Sequence, residues 1–576
     1  MHGDARLGSR RSRRSAVIAV LAATILIAAS IQGHAAINPT VTIREVGTPG
    51  QDTGKGVVAT ADALYGVGDT SGTFSGQTSQ GGTDAYVTKR TLTGTHLWTL
   101  QFGTSEGDSL SDVATDGSSV YVGGSTSGAI QDATNAGASD LYVARITPVG
   151  DVDWETQIGS DQVDTVNAIA VSNGSVFIAG ISTGALPGQG HAGTAGLTPD
   201  LFVAKLNAET GALQWLDEYG TDGSEYAHGI YADGSGVYVV GQAQNGLGVQ
   251  TSPNIDDAFL IRYDPADGDR SLIVLYGEDS TPDTFTDIDG VGSSLYVTGY
   301  TLSATPWNPN ETAGGDYDGL VVKLSRAGDI QWGHLIASNI SDTGQRIAAG
   351  GSGIYVGGDT VDPDVLLTDA YVSRYSYAGR QIWTHVLATS EADSSRGGLI
   401  AAPSGAFLFG STAGSLPGVT NFGGSDAFLA RFTSARPDGH ISLAATSGYI
   451  GNDVYNSTAA RQTKTAGVAK GRAKTFYIRG QNDGDSTDSI KIKGCGSSRG
   501  FAVTYLSGTT NVTSAVVGGS FRLNNVRPGA TKTLKARISV ARSVSVNATK
   551  SCTIALTSVS KPTLKDVVKA VVRAKA

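Results

Sequence analysis

Apolar and polar residues alternate with a period of two along most of this chain, in short runs separated by Gly, Asp, Ser and Thr clusters. This alternation predicts β-strands that each bury one face. Seven times an aspartate opens an apolar run that ends in a basic residue, as in Asp84-Ala-Tyr-Val-Thr-Lys89. The copies start 51 to 61 residues apart, at Asp84, Asp140, Asp200, Asp257, Asp318, Asp369 and Asp426. A repeat of this length with strand content alone predicts an all-β chain that contains a seven-bladed β-propeller.

Tryptophan recurs at one place in the repeat, five residues before a small residue. It occupies this place in five copies, and Leu272 occupies it in another. An aromatic side chain at equivalent positions buries a large area between neighbouring blades. We therefore interpret these residues as structural rather than as a ligand-stacking surface: Trp98, Trp154, Trp215, Trp332 and Trp383.

The seventh copy has no fourth strand after Phe432, and the missing piece is found at the front of the chain. Thr42-Ile-Arg-Glu-Val-Gly47 has the strand-then-glycine form of a fourth strand. The sequence therefore predicts that this N-terminal strand completes the last blade, beside the strand that starts at Asp426. Such closure removes two exposed sheet edges.

The order of Tyr-Val-x-Gly, Asp-Ala-Tyr-Val-x-Lys and Gly-x-x-x-Trp…Gly-Thr resembles the SBBP repeats of bacterial seven-bladed β-propellers. The resemblance covers about residues 41–435. It implies the propeller fold and an exported or cell-surface location. Most members of the family have no assigned chemistry, so the resemblance implies no particular reaction.

Residues 1–36 have the features of a signal peptide. Five arginines precede an apolar run from Ala16 to Ile31, and Gly33-His-Ala35 supplies small residues for cleavage. No later segment is apolar enough to cross a bilayer, so the expected mature protein is secreted or held at the cell surface. An uncleaved N-terminal anchor is the alternative.

Charge divides the rest of the chain into two parts. Residues 37–439 carry 16 basic and 46 acidic side chains, a net charge of −30, whereas residues 440–576 carry 21 basic and five acidic ones, a net charge of +16. We place the propeller at 37–437 and a second domain at 438–576. About seven short alternating segments in that domain predict an immunoglobulin-like β-sandwich. In an exported protein its two cysteines, Cys495 and Cys552, predict one disulfide.

The basic charge of the second domain leaves three explanations open. The domain docks on the acidic propeller, or it binds an anionic cell-wall polymer, an acidic polysaccharide or an extracellular protein, or its polar faces are simply solvated. Nucleic acid is disfavoured, because the basic residues are spread along strands and are not clustered with aromatic residues.

Acidic residues are the main candidates for metal chemistry. We interpret the seven repeat aspartates as acceptors for turn amides, because residues that recur in every blade serve what every blade needs. A second acidic position recurs at Asp52, Asp108, Asp164, Glu225, Asp342 and Asp393, with Asp283 shifted by one residue. We expect no cofactor, but bound Ca2+ is an alternative, for which the short acidic clusters are Asp316 with Asp318, and Asp483 with Asp485 and Asp488.

The histidines give no signal for metal-dependent catalysis. No paired metal spacing connects the histidines after the signal segment, which are His96, His191, His228, His334, His385 and His440. Ala204 to Trp215 is similar to the tryptophan-docking motif of quinoprotein dehydrogenases, which use PQQ. Seven blades and a propeller without cysteine argue against that cofactor.

The sequence therefore predicts an exported, non-catalytic binding protein for an extracellular ligand, protein or cell-wall polymer. The alternative is an extracellular propeller enzyme, either a polysaccharide hydrolase or lyase or a PQQ dehydrogenase, with its site at the channel mouth. Specificity is expected where the repeats differ most, at residues 188–199 and 307–316.

Overall fold

The computed structural model describes residues 39–576 apart from 132, 249–255, 278–280, 315, 339, 351–352, 363–365, 403–404 and 453. The predicted signal peptide, residues 1–36, lies outside the described residues. Strands and one short helix are the regular elements of the described part, which confirms the all-β class. Within the same part of the chain, no helix has the length and apolar character that a bilayer crossing needs.

The propeller region begins with seven strands before the second aspartate of the repeat. They are β1 (Thr40–Val46), β2 (Asp52–Ala59), β3 (Ala63–Thr70), β4 (Asp84–Thr91), β5 (His96–Phe102), β6 (Asp108–Thr115) and β7 (Val120–Thr126). The next seven are β8 (Asp140–Ile146), β9 (Val152–Ile158), β10 (Asp164–Ser172), β11 (Ser175–Ser182), β12 (Asp200–Asn207), β13 (Leu213–Tyr219) and β14 (Glu225–Asp233).

Fourteen further strands complete this region. The first seven are β15 (Gly236–Gln244), β16 (Asp256–Tyr263), β17 (Arg270–Tyr276), β18 (Asp283–Val291), β19 (Ser294–Thr301), β20 (Asp318–Ser325) and β21 (Ile330–Ile336). The others are β22 (Asp342–Gly350), β23 (Gly353–Val361), β24 (Thr368–Tyr375), β25 (Gln381–Leu387), β26 (Asp393–Ala402), β27 (Gly405–Thr412) and β28 (Asp426–Thr433).

These 28 strands form seven antiparallel sheets of four strands in the described part of the chain. Six sheets contain consecutive strands, from β2–β5 to β22–β25, and the seventh has the order β26, β27, β28, β1. β1 pairs with β28 from Thr40 opposite Thr433 to Val46 opposite Ala427. The predicted pairing of the N-terminal strand with the strand at Asp426 is therefore present.

The first strands of the sheets form a closed cycle. In chain order β2, β6, β10, β14, β18, β22 and β26 each contact the next, and β26 contacts β2. Side chains between neighbouring sheets form separate apolar clusters, one of which joins Ile43, Trp383, Leu408 and Phe432. Each sheet therefore buries its faces against the sheets before and after it, as in a propeller-type fold.

The second region is a β-sandwich of ten strands, more than the seven or so segments that the sequence suggested. One sheet contains, in order, β29 (Pro437–Ser442), β31 (Ala473–Asn482), β36 (Thr531–Val540), β33 (Phe501–Ser507) and β34 (Thr510–Asn511). The other contains β30 (Thr463–Ala469), β38 (Lys565–Lys575), β37 (Thr549–Ser558), β32 (Asp488–Gly494) and β35 (Arg522–Val526). A short helix, α1 (Thr513–Gly518), follows β34.

The two sheets of the sandwich share one apolar core that includes Phe476, Ile538, Leu556 and Val568. Cys495 and Cys552 form the predicted disulfide, with their Cα atoms 5.3 Å apart. Cys495 directly follows β32 and Cys552 lies on the neighbouring β37, so the bond joins adjacent strands of one sheet. In antibody domains the corresponding disulfide connects the two sheets.

Candidate functional sites

The basic residue that ends each repeat run belongs to a layer of three side chains on one face of the sheet. In the second sheet Arg145 lies opposite Trp154 on the next strand, and its guanidinium centre is 5.9 Å from the ring centroid of Tyr121 on the preceding strand. The same position holds a cation beside an aromatic ring in all seven sheets, and these cations are Lys89, Arg145, Lys205, Arg262, Lys323, Arg374 and Arg431.

The five repeat tryptophans pack against the next sheet of the propeller region. Trp98 Nε1 donates a hydrogen bond to the carbonyl oxygen of Pro148 at 3.3 Å, and Trp154 Nε1 donates to that of Ala208 at 3.1 Å. A Cβ atom at Gly211 would lie 2.6 Å from the Trp154 ring, and Gly211 has a φ of +71°, so this turn requires glycine. These contacts assign the tryptophans to packing between sheets.

The repeat aspartates lie at the junctions between sheets and are buried. Most accept a hydrogen bond from a turn amide four residues earlier, such as the Ala136 amide to Asp140 at 2.9 Å and the Gly314 amide to Asp318 at 2.8 Å. The second acidic position does the same, as in the Thr48 amide to Asp52 at 2.6 Å. This is the turn-closing arrangement that the sequence predicts.

The two acidic positions meet in pairs that sequence reasoning missed. A carboxylate that starts a third strand faces one that starts the first strand of the next sheet. At Gly220 an added Cβ would lie 2.1 Å from Asp200 and 2.7 Å from Glu225, so glycine leaves room for both groups. The pairs are Asp84–Asp108, Asp140–Asp164, Asp200–Glu225, Asp257–Asp283, Asp318–Asp342, Asp369–Asp393 and Asp426–Asp52.

Burial and the facing charge make ionisation unfavourable in several of these pairs. Burial, with the charge of Asp342 added, raises the pKa of Asp318 to about 6. Burial, with the charge of Asp393 added, raises the pKa of Asp369 to about 7. Asp318 and Asp369 therefore retain protons at pH values where isolated aspartates are already ionised.

The three sandwich carboxylates proposed for calcium each accept a hydrogen bond from another side chain. Asp485 contacts Arg374 and accepts a hydrogen bond from Ser434 Oγ at 2.5 Å, and Asp488 accepts one from Ser558 Oγ at 2.5 Å. Asp483 accepts from Gln481 Nε2 at 2.7 Å and from the Tyr455 hydroxyl. Among the described residues, neither these three nor Asp316 with Asp318 form a cluster of three metal-ligating side chains.

One cavity lies at the first strands of several sheets and has a mostly apolar lining. Its volume is about 470 Å3, and it is lined by Val58, Leu92, Leu399, Ile400 and several alanines, with Asp289 as its ionisable lining residue. Asp289 accepts hydrogen bonds from the amides of Ala349 at 2.7 Å and Gly290 at 2.7 Å. Its oxygens are thus engaged by the backbone, which is not the arrangement of a paired acid and base.

Residues 307–316, which the sequence marked as a specificity loop, begin with a buried anchor. Trp307 is 3% exposed and donates from Nε1 to Asp283 at 3.1 Å. Its ring packs against Tyr276 and Phe285. This tryptophan therefore belongs to the core of the fifth sheet.

A cationic surface covers the outer side of the sheet formed by β30, β38, β37, β32 and β35. Its cations alternate with buried residues along each strand, so they share the outward direction. The strand register places cations of neighbouring strands side by side. Lys491 of β32 pairs with Arg522 on one side and with Thr557 on the other, and Thr557 pairs with Lys565. We name as the basic face the seven side chains Lys491, Lys493, Arg522, Lys565, Lys569, Arg573 and Lys575.

Threonine hydroxyl groups lie beside the cations of the basic face. Thr549, Thr553 and Thr557 of β37 lie opposite Arg573, Lys569 and Lys565 of β38. None of the seven cations has a carboxylate partner among the described residues, and all but Lys569 are exposed in the full chain. The basic face is therefore uncovered, although the propeller region is strongly acidic.

At the contact between the propeller region and the sandwich, the charges are the reverse of the net charges of the two regions. There the propeller region supplies the cations Arg374 and Arg436, and the sandwich supplies Asp483 and Asp485. Arg374 Nε lies 2.9 Å from Asp485 Oδ1, and both side chains are fully buried. Arg436 stacks on Tyr455, with its guanidinium centre 3.4 Å from the ring centroid. Docking of the positive charge of the sandwich on the acidic propeller is not the interaction seen at this contact.

Three metal-ligating groups meet in the third sheet, and one of them is the repeat aspartate Asp200. His191 Nδ1 lies 3.0 Å from Glu218 Oε1 and 3.3 Å from Asp200 Oδ2. Burial raises the pKa of both carboxyl groups. Sequence reasoning treated His191 as isolated and did not select Glu218, although Gln101 and Gln157 at the corresponding positions of β5 and β9 marked it as a departure from the repeat.

No family model matches the sequence. A stretch of 157 residues is 32% identical to the regulatory protein FlaEY of Caulobacter vibrioides, and it covers 26% of this chain and 16% of that protein. The chain therefore spans about a sixth of the length of this curated relative. So short a match does not assign the chain to a family.

Solved structures that are similar to the chain include several propellers. The β-propeller domain of the trilobed protease from Pyrococcus furiosus is 9% identical with a TM-score of 0.37, and the match covers 66% of this chain and 93% of that domain. The acylaminoacyl peptidase of Pyrococcus horikoshii is 10% identical with a TM-score of 0.37, covering 73% and 60%. The quinohemoprotein alcohol dehydrogenase of Comamonas testosteroni is 9% identical with a TM-score of 0.32, covering 65% and 66%. Similarities at these TM-scores carry no argument about function.

Proposed function

We propose that this chain is an exported, non-catalytic binding protein that attaches to an anionic polymer of the cell wall through the basic face. Its parts are a seven-bladed β-propeller of the SBBP type and an immunoglobulin-like β-sandwich. The repeat motifs, the seven four-stranded sheets and the pairing of β1 with β28 support the first assignment. The two packed sheets support the second.

The binding function is inferred from the seven cations that lie together on one exposed sheet face. None of them has a carboxylate partner in the described part of the chain. Strand geometry spaces Lys565, Lys569 and Arg573 about 13 Å apart along β38, at about 3.3 Å per residue. Lys491 and Lys565 lie two strands apart, at about 10 Å. This grid is complementary to a chain of regularly spaced negative charges, because each anionic group along the polymer meets a cation.

The surroundings of these cations favour a phosphate or carboxylate polymer over a nucleic acid. Between the cations lie threonine hydroxyls, which donate hydrogen bonds to anionic oxygens. Single-stranded nucleic acids are bound on aromatic platforms, and the outward positions of β37 and β38 hold Thr, Ser, Ala and Val instead. The disulfide is consistent with an oxidising, extracytoplasmic compartment.

Binding of the full-length protein to purified wall polymer that contains glycerol phosphate tests the proposal. We expect saturable binding without turnover of the polymer, and affinity that falls steeply with added salt, because surface charges are screened. The double charge reversal Lys565→Glu with Lys569→Glu is expected to weaken binding at least about tenfold, if each lost cation contributes about 1 kcal/mol or more.

The matched control is Lys535→Glu with Arg537→Glu, which changes the same charge on the outer face of the other sheet. Equal weakening by both pairs of substitutions would show that net charge alone attracts the polymer, and the basic face would not be the site. Tighter binding of duplex DNA than of the wall polymer at the same salt concentration would contradict the choice of ligand. Cleavage of the polymer would contradict the non-catalytic function.

A further inference from the structure

A glutamine bridge holds the loop between the second and third strands in the first two sheets. In the first sheet the Phe74 amide donates to Gln101 Oε1 at 3.0 Å, and Gln101 Nε2 donates to Asp84 at 2.7 Å. In the second sheet Gln157 accepts from the Ile130 amide at 3.0 Å and donates to Asp140 at 2.8 Å. The glutamine thus connects a loop amide with the repeat aspartate.

The third sheet keeps the loop amide but replaces the glutamine with Glu218. Glu218 Oε2 accepts a hydrogen bond from the Leu186 amide at 2.8 Å, as its counterparts do with their loops. Its other oxygen faces Asp200, and a carboxylate has no proton to donate to another carboxylate when both are ionised. Both side chains are at most 1% exposed, so two ionised carboxylates at this place need a cation between them.

A longer loop brings His191 to this position. Seventeen residues separate Ser182 from Asp200, compared with 13 between Thr126 and Asp140 at the same place in the second sheet. The side chain of His191 is 7% exposed and lies between the two carboxylates. The insertion and the change from glutamine to glutamate therefore occur together at one point of the fold.

We propose that His191, Asp200 and Glu218 bind a divalent transition-metal ion of the Zn2+ type, which fastens the inserted loop to β12 and β13. One imidazole nitrogen and two carboxylate oxygens are ligands that Zn2+ commonly takes. A tetrahedral Zn2+ with bonds of about 2.1 Å keeps its ligand atoms roughly 3.4 Å apart. The distances from His191 Nδ1, 3.3 Å to Asp200 Oδ2 and 3.0 Å to Glu218 Oε1, lie within about 0.4 Å of such an edge, so small movements complete the geometry.

Backbone amides orient both carboxylates from outside the cluster. The Ala192 amide donates to Asp200 Oδ2 at 2.7 Å, and the Leu186 amide donates to Glu218 Oε2. Metal-binding carboxylates are commonly fixed in this way by a second set of hydrogen bonds. Asp200 Oδ1 and His191 Nε2 are buried and have no hydrogen-bond partner among the described residues, so the cluster retains polar capacity that the protein itself does not use.

Calorimetric titration of chelator-treated, full-length protein with Zn2+ tests this site. We expect saturable binding of one ion per chain and a melting temperature that rises with the Zn2+ concentration. Titration with Co2+ is expected to give the visible absorption of a tetrahedral site with nitrogen and oxygen ligands. Glu218→Gln should weaken Zn2+ binding by more than about 100-fold, since it removes a ligand rather than an outer partner.

Glu218→Gln is suited to this test because it restores the glutamine that the first two sheets carry, so the variant is expected to fold. Glu209→Gln, at an exposed glutamate of the turn between β12 and β13, is the matched control and should bind Zn2+ like the unchanged chain. If Zn2+ does not bind, or binds equally to Glu218→Gln, the proposal is wrong. His191 would then bridge the two carboxylates without a metal.

Discussion

Arg374 and Asp485 form a fully buried ion pair, with Arg374 Nε 2.9 Å from Asp485 Oδ1. Arg374 is the sixth copy of the basic repeat residue and still lies opposite Trp383, but its charge is directed to the sandwich. Burial lowers the pKa of Arg374, whereas Tyr355, Asp485 and Asp483 raise it and outweigh burial. A side chain that packs within one sheet elsewhere thus joins two regions of the chain.

Arg374→Met is expected to destabilise the protein strongly. Loss of one partner leaves Asp485 ionised and buried without a cation, which costs about 3–5 kcal/mol. The double variant Arg374→Met with Asp485→Leu removes both charges and should regain much of this stability. Urea-induced unfolding of the two variants and the unchanged chain measures both effects.

Arg396→Met is the control for this pair. The side chain of Arg396 is 75% exposed and lies 3.4 Å from Asp359, a surface contact that contributes about 0–1 kcal/mol. Equal urea midpoints for Arg374→Met and Arg396→Met would contradict a stabilising role for the buried pair.

The repeat could be predicted from the sequence because every sheet has the same short-range pattern of strands and turns. The strand pattern, the position of the tryptophans and the pairing of β1 with β28 all follow from comparing one copy with the next. The carboxylate pairs were missed because each joins neighbouring copies, and their register depends on how the sheets pack.

The contacts that occur in a single sheet could not be predicted from the sequence, because their partners are far apart along the chain. Asp485 was assigned to a possible calcium cluster because of its neighbours in sequence, whereas its partner Arg374 is 111 residues away. His191 and Glu218 are 27 residues apart and meet only when the loop closes on β13. Changes between copies, such as glutamine to glutamate at position 218, were the available signal.

Trp154→Ala is expected to lower the free energy of unfolding by roughly 2–4 kcal/mol, because the half-buried indole packs on the turn at Gly211 and donates to Ala208. Trp154→Leu should cost less, since Leu272 occupies the same position in β17. Urea unfolding measures the stability of both variants. Neither change should affect binding to the wall polymer, and a loss of binding by the well-folded leucine variant would identify Trp154 as a ligand contact.

A chain that begins at residue 47 is expected to melt far below one that begins at residue 37. Without β1, the edge of β28 is exposed and Ile43 is lost from the apolar cluster around Trp383. Differential scanning calorimetry compares the two chains. A peptide of residues 37–46 added to the shortened chain should restore the melting temperature, and the same peptide with Ile43→Asp should not. Identical melting of the two chains would contradict closure by β1.

Asp369→Asn is expected to stabilise the protein at pH 8 and to have little effect at pH 4. The folded pKa of Asp369 is raised to about 7 by burial and by the facing Asp393, whereas that of an unfolded aspartate is about 3.9. Between these values the folded state holds a proton that the unfolded state has released, so the stability of the unchanged chain falls as the pH rises through about 7. Asparagine carries no charge at any of these pH values and avoids this loss.

The difference in melting temperature between Asp369→Asn and the unchanged chain should therefore grow between pH 4 and pH 7 and then remain constant up to pH 8. Titrating groups that do not interact with Asp369 cancel in this difference because both chains contain them. Asp316→Asn, which removes one negative charge at an exposed position, is the control for a change in net charge. If the difference for Asp369→Asn does not vary with pH, Asp369 is ionised throughout this range and the repulsion between Asp369 and Asp393 does not limit stability.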